Sequence, residues 1–392
     1  MPRLVYNYVM LDQELSLFHD TAPLLAITDL MCPLPAPEIL WMSRSSEQWF
    51  TTMQSLHNCT VNVNPQLLST SSASPSLHEL FQDFLQDNLL RRHPNLSPQQ
   101  LRLILHPLQA LICHLRQMVS CFSDVFDPSH TGTSAMTKAS IMHRLDETQA
   151  LLQKWYDITL TYLKANPACS ITRCNLVIYH LLYLNTVTSL PEIERFARRE
   201  GLGHLSWELP LRHGRCIFHR PKAIAHCGQV FRLLHLMPND RRPAWWAAAM
   251  YRAALVLWTD SISRMEQHHG LGSLALQQQQ GDGHNHHQQQ QGGLATVMID
   301  RLSLEDPDVM ALAWGGGGGG GGVGVPVLMC PDGTTVGLDK PAEILGYAVK
   351  HIETCFSSRI GDGIKRKLVT LGNNWNLEAM GVGVSPGGSS GR

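Results

Sequence analysis

HRPKAIAHCGQVFRLLHLMPNDRRPAWWAAAMYRAALVLWTD, residues 219–260, decides the fold. Two helical patterns meet in it at a proline-marked turn. Pro221 stands where a helix can begin, and Ile224, Cys227, Val230, Phe231, Leu234 and Met237 recur at helical spacing until Pro238 and Asn239 end the run. Pro243 opens a second run, Trp245 to Trp258, apolar on nearly every side and broken only by Arg252 and the flanking Asp260. A helix apolar all round must be buried all round. The run is shorter than the roughly 20 apolar residues a membrane span needs, so it predicts the central helix of an all-α domain and not a membrane helix.

Upstream, the pattern is helix after helix. Residues 1–22 read as a short helix with Leu4, Val9, Leu11, Leu15 and Phe18 among its apolar positions. Pro33, Pro35 and Pro37 forbid a helix and favour an extended segment. Running from Ile27 to Phe50 and ending in Trp41 and Trp49, the stretch predicts an ordered strap laid over a core. The Asn/Ser/Thr-rich residues 57–75 read as a surface loop. Ser76 with Glu79 makes a capping box that opens a helix with Leu77, Leu80, Phe81, Phe84 and Leu85 inward, and Ser97, Pro98 and Gln100 repeat the signal for a helix containing Pro107. Residues 127–134 read as a loop, Ala135 to about Lys164 as the longest amphipathic helix, and 171–186 as a second wholly buried one. Ser189, Pro191 and Glu192 open a short basic helix that stops at Gly201. No run of alternating residues argues for a sheet.

Downstream, the expected organisation changes. Residues 1–266 form the main helical domain. Residues 267–298, rich in Gln, His and Gly, read as a disordered insertion, 299–314 as a short ordered segment, and 315–324, with its unbroken glycines, as a linker. Residues 325–375 resume the same helical domain, with Ile344, Leu345, Ala348, Ile352 and Phe356 on one face, and 376–392 read as a loose tail.

Composition narrows the function. The 392 residues carry a net charge of −1, which argues against a chain that binds nucleic acid electrostatically as a whole. MPRLVYNYVM lacks a basic region followed by a long apolar core, so no secretory leader is expected. The ten cysteines form no CxxC pair and read as reduced, buried thiols, and Asn58-Cys59-Thr60 is expected to carry no glycan. No GxxxxGK[ST], HExxH, GxSxG, DDxxD or strand-borne GxGxxG appears, so nothing nominates a nucleophile or a base, and no catalytic, cofactor-binding or metal-ligating residue is assigned.

Three clusters still invite a functional reading. Cys216, His219, His226 and Cys227 are metal ligands by type, but their spacing fits no zinc module and Cys227 lies on an apolar helix face. His284, His286 and His287 sit in a low-complexity tract. Residues 191–242 hold ten Lys/Arg against five Asp/Glu, a composition that fits either a solvated basic face or a surface for phosphate or an acidic partner. Lys365-Arg366-Lys367 is short for a nuclear signal, and basic charge at a helix C-terminus accounts for it equally well.

Four stretches together carry a resemblance: DLMCPLPAPEILWMSRSSEQW, LPEIERFARREG, HCGQVFRLLHLMPNDRRPAWWAAAMYRAALVLW and LDKPAEILGYAVKHIETCFSSRIGDGIKRKLVTLG. In order and spacing they resemble the regulatory (middle homology) domain of fungal-specific transcription factors, of the type found behind C2H2 zinc fingers. The resemblance implies a large all-α domain, location in the nucleus and control of RNA polymerase II transcription through transcriptional co-regulators or a small-molecule effector. It implies no cofactor in these residues and no membrane. Zinc and DNA binding belong to a module these residues lack, since no Cys pair stands ahead of a His pair, so a truncated form or fragment is expected. The competing reading is a helical enzyme or small-molecule-binding protein with a pocket among the buried helices.

Overall fold

The computed structural model describes residues 2–61, 74–123, 133–200, 214–278, 296–314, 324–355 and 358–379. They are predominantly α-helical and divide into two compact units, Met1–Trp155 and Tyr156–Arg392.

In the first unit the helices are α1 (Pro2–His19), α2 (Glu38–Trp41), α3 (Ser46–Val61), α4 (Leu77–Leu85), α5 (Leu89–Arg92), α6 (Pro98–Ser123) and the first part of α7 (Thr133–Ala165). The capping box at α4 is present in both directions: Glu79 N–H donates to Ser76 Oγ at 3.2 Å, and Ser76 N–H to Glu79 Oε2 at 2.8 Å. Ser97 and Gln100 make the same reciprocal pair at α6. The core forms around α6, whose Leu101, Ile104, Leu105, Leu108 and Ile112 are buried and which packs against α1 and α4. The helix runs on through Pro107.

The proline segment is ordered, but its anchors are not the tryptophans. Pro33 pairs with Ser76 as a β-bridge, Tyr6 Oη donates to Cys32 O at 2.6 Å, and the buried side chains are Leu30 and Leu34. Trp41 and Trp49 stay 69% and 44% exposed. They lie in α2 and α3, beyond the stretch that the bridge and Tyr6 pin down, and Trp41 is covered only by the Arg3 guanidinium, 4.7 Å above its ring. Residues 57–61, read as loop, continue α3, while 62–73 and most of the expected 127–134 loop lie outside the described residues.

The second unit holds α8 (Ser170–Val187), α9 (Leu190–Ala197), α10 (Arg220–Leu236), α11 (Trp246–Gln278), β1 (Thr296–Met298), α12 (Pro307–Trp314), β2 (Val325–Met329), β3 (Thr335–Gly337), α13 (Pro341–Glu353) and α14 (Arg359–Ala379). As its all-round apolar sequence requires, α11 is enclosed: from Trp245 to Trp258 every side chain is buried except the half-buried Ala248, and Arg252 is buried with them. Helices α9, α10, α13 and α14 cover it. The residues of α8 from Asn175 to Val187 are likewise all buried. Helix α11 also continues through Gln278, well into the stretch expected to be disordered from residue 267. Gln, Met, Leu and Ala are good helix formers, and extending an existing helix costs far less than starting one.

A three-stranded sheet was not expected. β1 runs parallel to β2 with Val297 opposite Pro326, and β2 runs antiparallel to β3 with Leu328 opposite Val336. The strands are three to five residues long, too short for alternation to register, and the parallel pair is joined by a crossover that contains α12. The segment 325–375 is therefore strand as well as helix. Just after β1 the chain passes so close to α10 that a Cβ on Gly228 would stand 2.4 Å from Ile299 O. Glycine is needed there for space, not for backbone freedom.

Candidate functional site

Helix α10 is the hub of the second unit, packed against α8, α11 and α12. Along an i, i+3 ridge it presents His226, Gln229, Arg232 and His235, polar residues on a mostly buried helix, and each must find a partner or remain uncharged.

At one end, His226 meets His180 of α8, Nδ1 to Nδ1 at 2.9 Å. One ring must donate and the other accept, so the pair holds together only while at least one is neutral. Both rings are wholly buried. Burial pushes the pKa of His180 well below its usual value and that of His226 down to about 3. Tyr183 stacks flat on His226, with centroids 3.9 Å apart and planes 10° off parallel, and Trp314 meets its edge. Tyr156 stacks on Tyr179 at 4.8 Å and donates its hydroxyl to Glu305. His226 Nε2 has no hydrogen-bond partner among the described residues.

In the middle, Gln229 Nε2 donates to Leu302 O at 2.9 Å, and Arg232 Nε to Arg301 O at 3.2 Å. At the far end, His235 lies against His351 of α13 with ring centroids 4.0 Å apart. Burial and the nearby Arg242 and Arg301 charges lower their pKa values to about 3 and about 4. Tyr347 packs edge-on against His351 and donates to Asp300 Oδ2 at 2.7 Å. Asp300 also accepts from Met329 N–H at 3.0 Å, which ties β1, β2 and α13 together, and burial raises its pKa.

Among the described residues the acidic and thiol groups of this seam are engaged or held neutral. Asp300 and Glu305 are each engaged by a tyrosine hydroxyl, and burial pushes the Cys227 thiol well above its usual pKa, away from the reactive thiolate. The cluster of Cys216, His219, His226 and Cys227 does not converge. Cys216 is buried and its carbonyl accepts from Ser189 N–H, His219 stands at the N-cap position of α10, and His226 turns to His180. No group of three His, Cys, Asp or Glu able to hold a metal occurs among the described residues, so these residues do not fit zinc. His284, His286 and His287 lie outside the described residues.

Much of the basic stretch 191–242 is tied up internally: Arg195 pairs with Glu192, Arg198 with Glu200 and Arg220 with Asp260. Lys365-Arg366-Lys367 lies in the first half of α14, not at a helix C-terminus, and Lys365 and Lys367 pair with Glu353 and Glu194. No helix among the described residues is long and apolar enough to cross a membrane. His180, Tyr183, His351, Asp300 and Tyr347 were not foreseen as members of one seam. The available hint was His180 inside the apolar run ITRCNLVIYHLLYLNT, where a buried imidazole demands a partner.

Among the described residues the second unit is thus an α-helical core crossed by a neutral polar seam. The chain is homologous over nearly all its length to fungal proteins named transcription factors. It is 40% identical over 375 residues to transcription factor PfmaH of Pestalotiopsis fici, which covers 95% of this chain and 36% of that protein. It is 37% identical over 378 residues to a transcription factor of Zymoseptoria tritici, covering 94% and 37%, and 37% identical over 369 residues to transcription factor 1 of Elsinoe fawcettii, covering 94% and 35%. The chain thus spans little more than a third of the length of these curated relatives. No family model matches it, and no solved structure matches it.

Proposed function

We propose that this chain is the regulatory part of a fungal transcription factor, acting in the nucleus on RNA polymerase II transcription through co-regulator proteins or a small-molecule effector. The observation that carries the reading is its similarity to proteins named transcription factors across 94–95% of its length. The domain is of the middle-homology kind suggested by DLMCPLPAPEILW and HCGQVFRLLHLMPNDRRPAWW. DNA reading, and the zinc that supports it, belong to a module outside these residues. A net charge of −1 and the internal pairing of Arg195, Arg198 and Arg220 agree with that division. The effector side of the reading draws on the α10 seam, where His226 Nε2 is a buried polar atom with no partner among the described residues.

The test is a fusion of residues 1–392 to an unrelated DNA-binding domain in a fungal host carrying the matching reporter. Reporter output should rise or fall against the DNA-binding domain alone, and the same chain without the fusion should bind duplex DNA weakly and without sequence preference. Unchanged output from a well-expressed nuclear fusion would overturn the proposal.

A further inference from the structure

Helix α1 is amphipathic in an unusual sense. Its inner face carries polar groups as well as apolar ones: Gln13 and Ser16 are buried beside Tyr6, Val9 and Leu17, and Gln109 of α6 donates to Gln13 O at 3.1 Å and Ser16 Oγ at 2.7 Å. Its charges are also used within the unit. Arg3 bonds Glu38, Asp12 accepts from the Leu24 and Leu25 amides, and Glu14 pairs with Arg102 at 2.6 Å. What remains outside is an uncharged face. Leu4, Tyr8, Leu11 and Leu15 are 56%, 59%, 48% and 51% exposed, with Asn7 between them and His19 at the end. Arg3 both bonds Glu38 and caps the Trp41 ring, which brings α2, with its exposed Ile39, Trp41 and Met42, to the N-terminal end of this stripe.

We propose that this face is the seam of a two-fold homodimer. The spacing of the four residues, four-three-four, is the repeat of a coiled-coil seam, and it reads the same in both directions. Two antiparallel copies therefore set Leu4 against Leu15 of the partner subunit and Tyr8 against Leu11 of the partner subunit. A two-fold contact opposes each surface to itself, so a face of one sign would meet its own charge; the α1 stripe carries no formal charge, and at its α2 end Arg3 and Glu38 form an ion pair with no net charge. The seven exposed apolar side chains offer on the order of 800 Å², what one partner contributes to a standard stable interface. An uncharged seam also makes association nearly independent of salt.

The test is sedimentation velocity of the full chain from about 1 to 100 μM, a range that brackets the weak end for interfaces of this size. The wild type should pass from monomer to dimer mass, equally at low and high salt. Leu11→Glu and Tyr8→Glu, both at exposed positions, should stay monomeric with an unchanged circular dichroism melt. Under mild oxidation the double variant Leu4→Cys/Leu15→Cys should give a disulfide-linked dimer well above the level of wild type or of either single variant. A monomer at every concentration overturns the proposal. A dimer that survives Leu11→Glu and Tyr8→Glu also overturns it, because the contact then lies elsewhere.

Discussion

Helices α11 and α1 both carry more apolar surface than a single-faced helix needs, and they meet different fates. Helix α11 is enclosed from Trp245 to Trp258 by four other helices, and even Arg252 is buried. Helix α1 pairs its charges within the unit, turns part of its polar surface inward and leaves Leu4, Tyr8, Leu11 and Leu15 outside. Apolar content states how much surface a helix would gain by covering. The placement of its few charges states which side the rest of the unit covers. In α11 the one charge between Trp245 and Trp258, Arg252, is itself buried, and no side is left for water. In α1, Asp12 and Glu14 are drawn to amides and to Arg102, and that rotation fixes which leucines are left over.

The sharpest way to break this contrast is a pair of tryptophans. Trp258 is 1% exposed and meets Trp375 edge-on at 5.1 Å, so Trp258→Ala should cost about 3–5 kcal/mol or leave the protein molten. Trp41→Ala, at 69% exposure, should change stability by no more than about 0.5 kcal/mol. Denaturant midpoints measure both, and similar losses at the two positions would erase the distinction between covered and uncovered apolar surface. Next in size is Gly228→Ala. Its Cβ would stand 2.4 Å from a backbone oxygen that cannot move without shifting β1, so a loss of about 2–3 kcal/mol follows. An unchanged midpoint would mean that Ile299 does not press on α10.

Acid should also weaken the second unit through its histidines. In the unfolded chain these imidazoles take up protons below about pH 6.5, whereas His226 and His235 stay neutral to about 3 and His351 to about 4 in the fold. The unfolded state then binds more protons, so the stability these groups contribute is whole above pH 6.5 and is lost as pH falls toward the folded values. Calorimetry should record a melting temperature lower by roughly 5–10 °C at pH 5 than at pH 7. The variant His351→Phe, which keeps the ring contact, should flatten that slope. The smallest change lies at the cap of α4, where Ser76→Ala removes an acceptor for Glu79 N–H and should cost about 1 kcal/mol in a chemical melt.

What was legible in the sequence is what is set locally or by strong periodicity. The caps at Ser76 and Ser97 depend on three consecutive peptide units, and both are present. The burial of α8 and α11 follows from apolar runs with no polar side. The sheet was hidden because Thr296–Met298 and Val325–Met329 are short and pair across a long intervening stretch. The strap over residues 27–50 was legible, but its anchors were not: aromatic size suggested Trp41 and Trp49, while the bridge at Pro33 puts Leu30 and Leu34 inside. The seam was least legible of all. His180 and His226 lie 46 residues apart, Asp300 and Tyr347 47 apart, and neither pair leaves a local trace.

The same long separations set a schedule for synthesis. Helix α10 finds α8 already made when it leaves the ribosome, but α11, Ile299 and His351 follow it in the chain. At about 5–20 residues per second, its buried ridge waits on the order of ten seconds before His351 has been added opposite His235. During that interval His226, which meets a residue made earlier, can already be paired with His180, while the other end of the ridge stands open. The first unit has no such delay, because α1, α4 and α6 are complete before any of the second unit is made. A nascent chain stalled between residues 260 and 340 would therefore lack the cover that α13 gives the His235 end of α10.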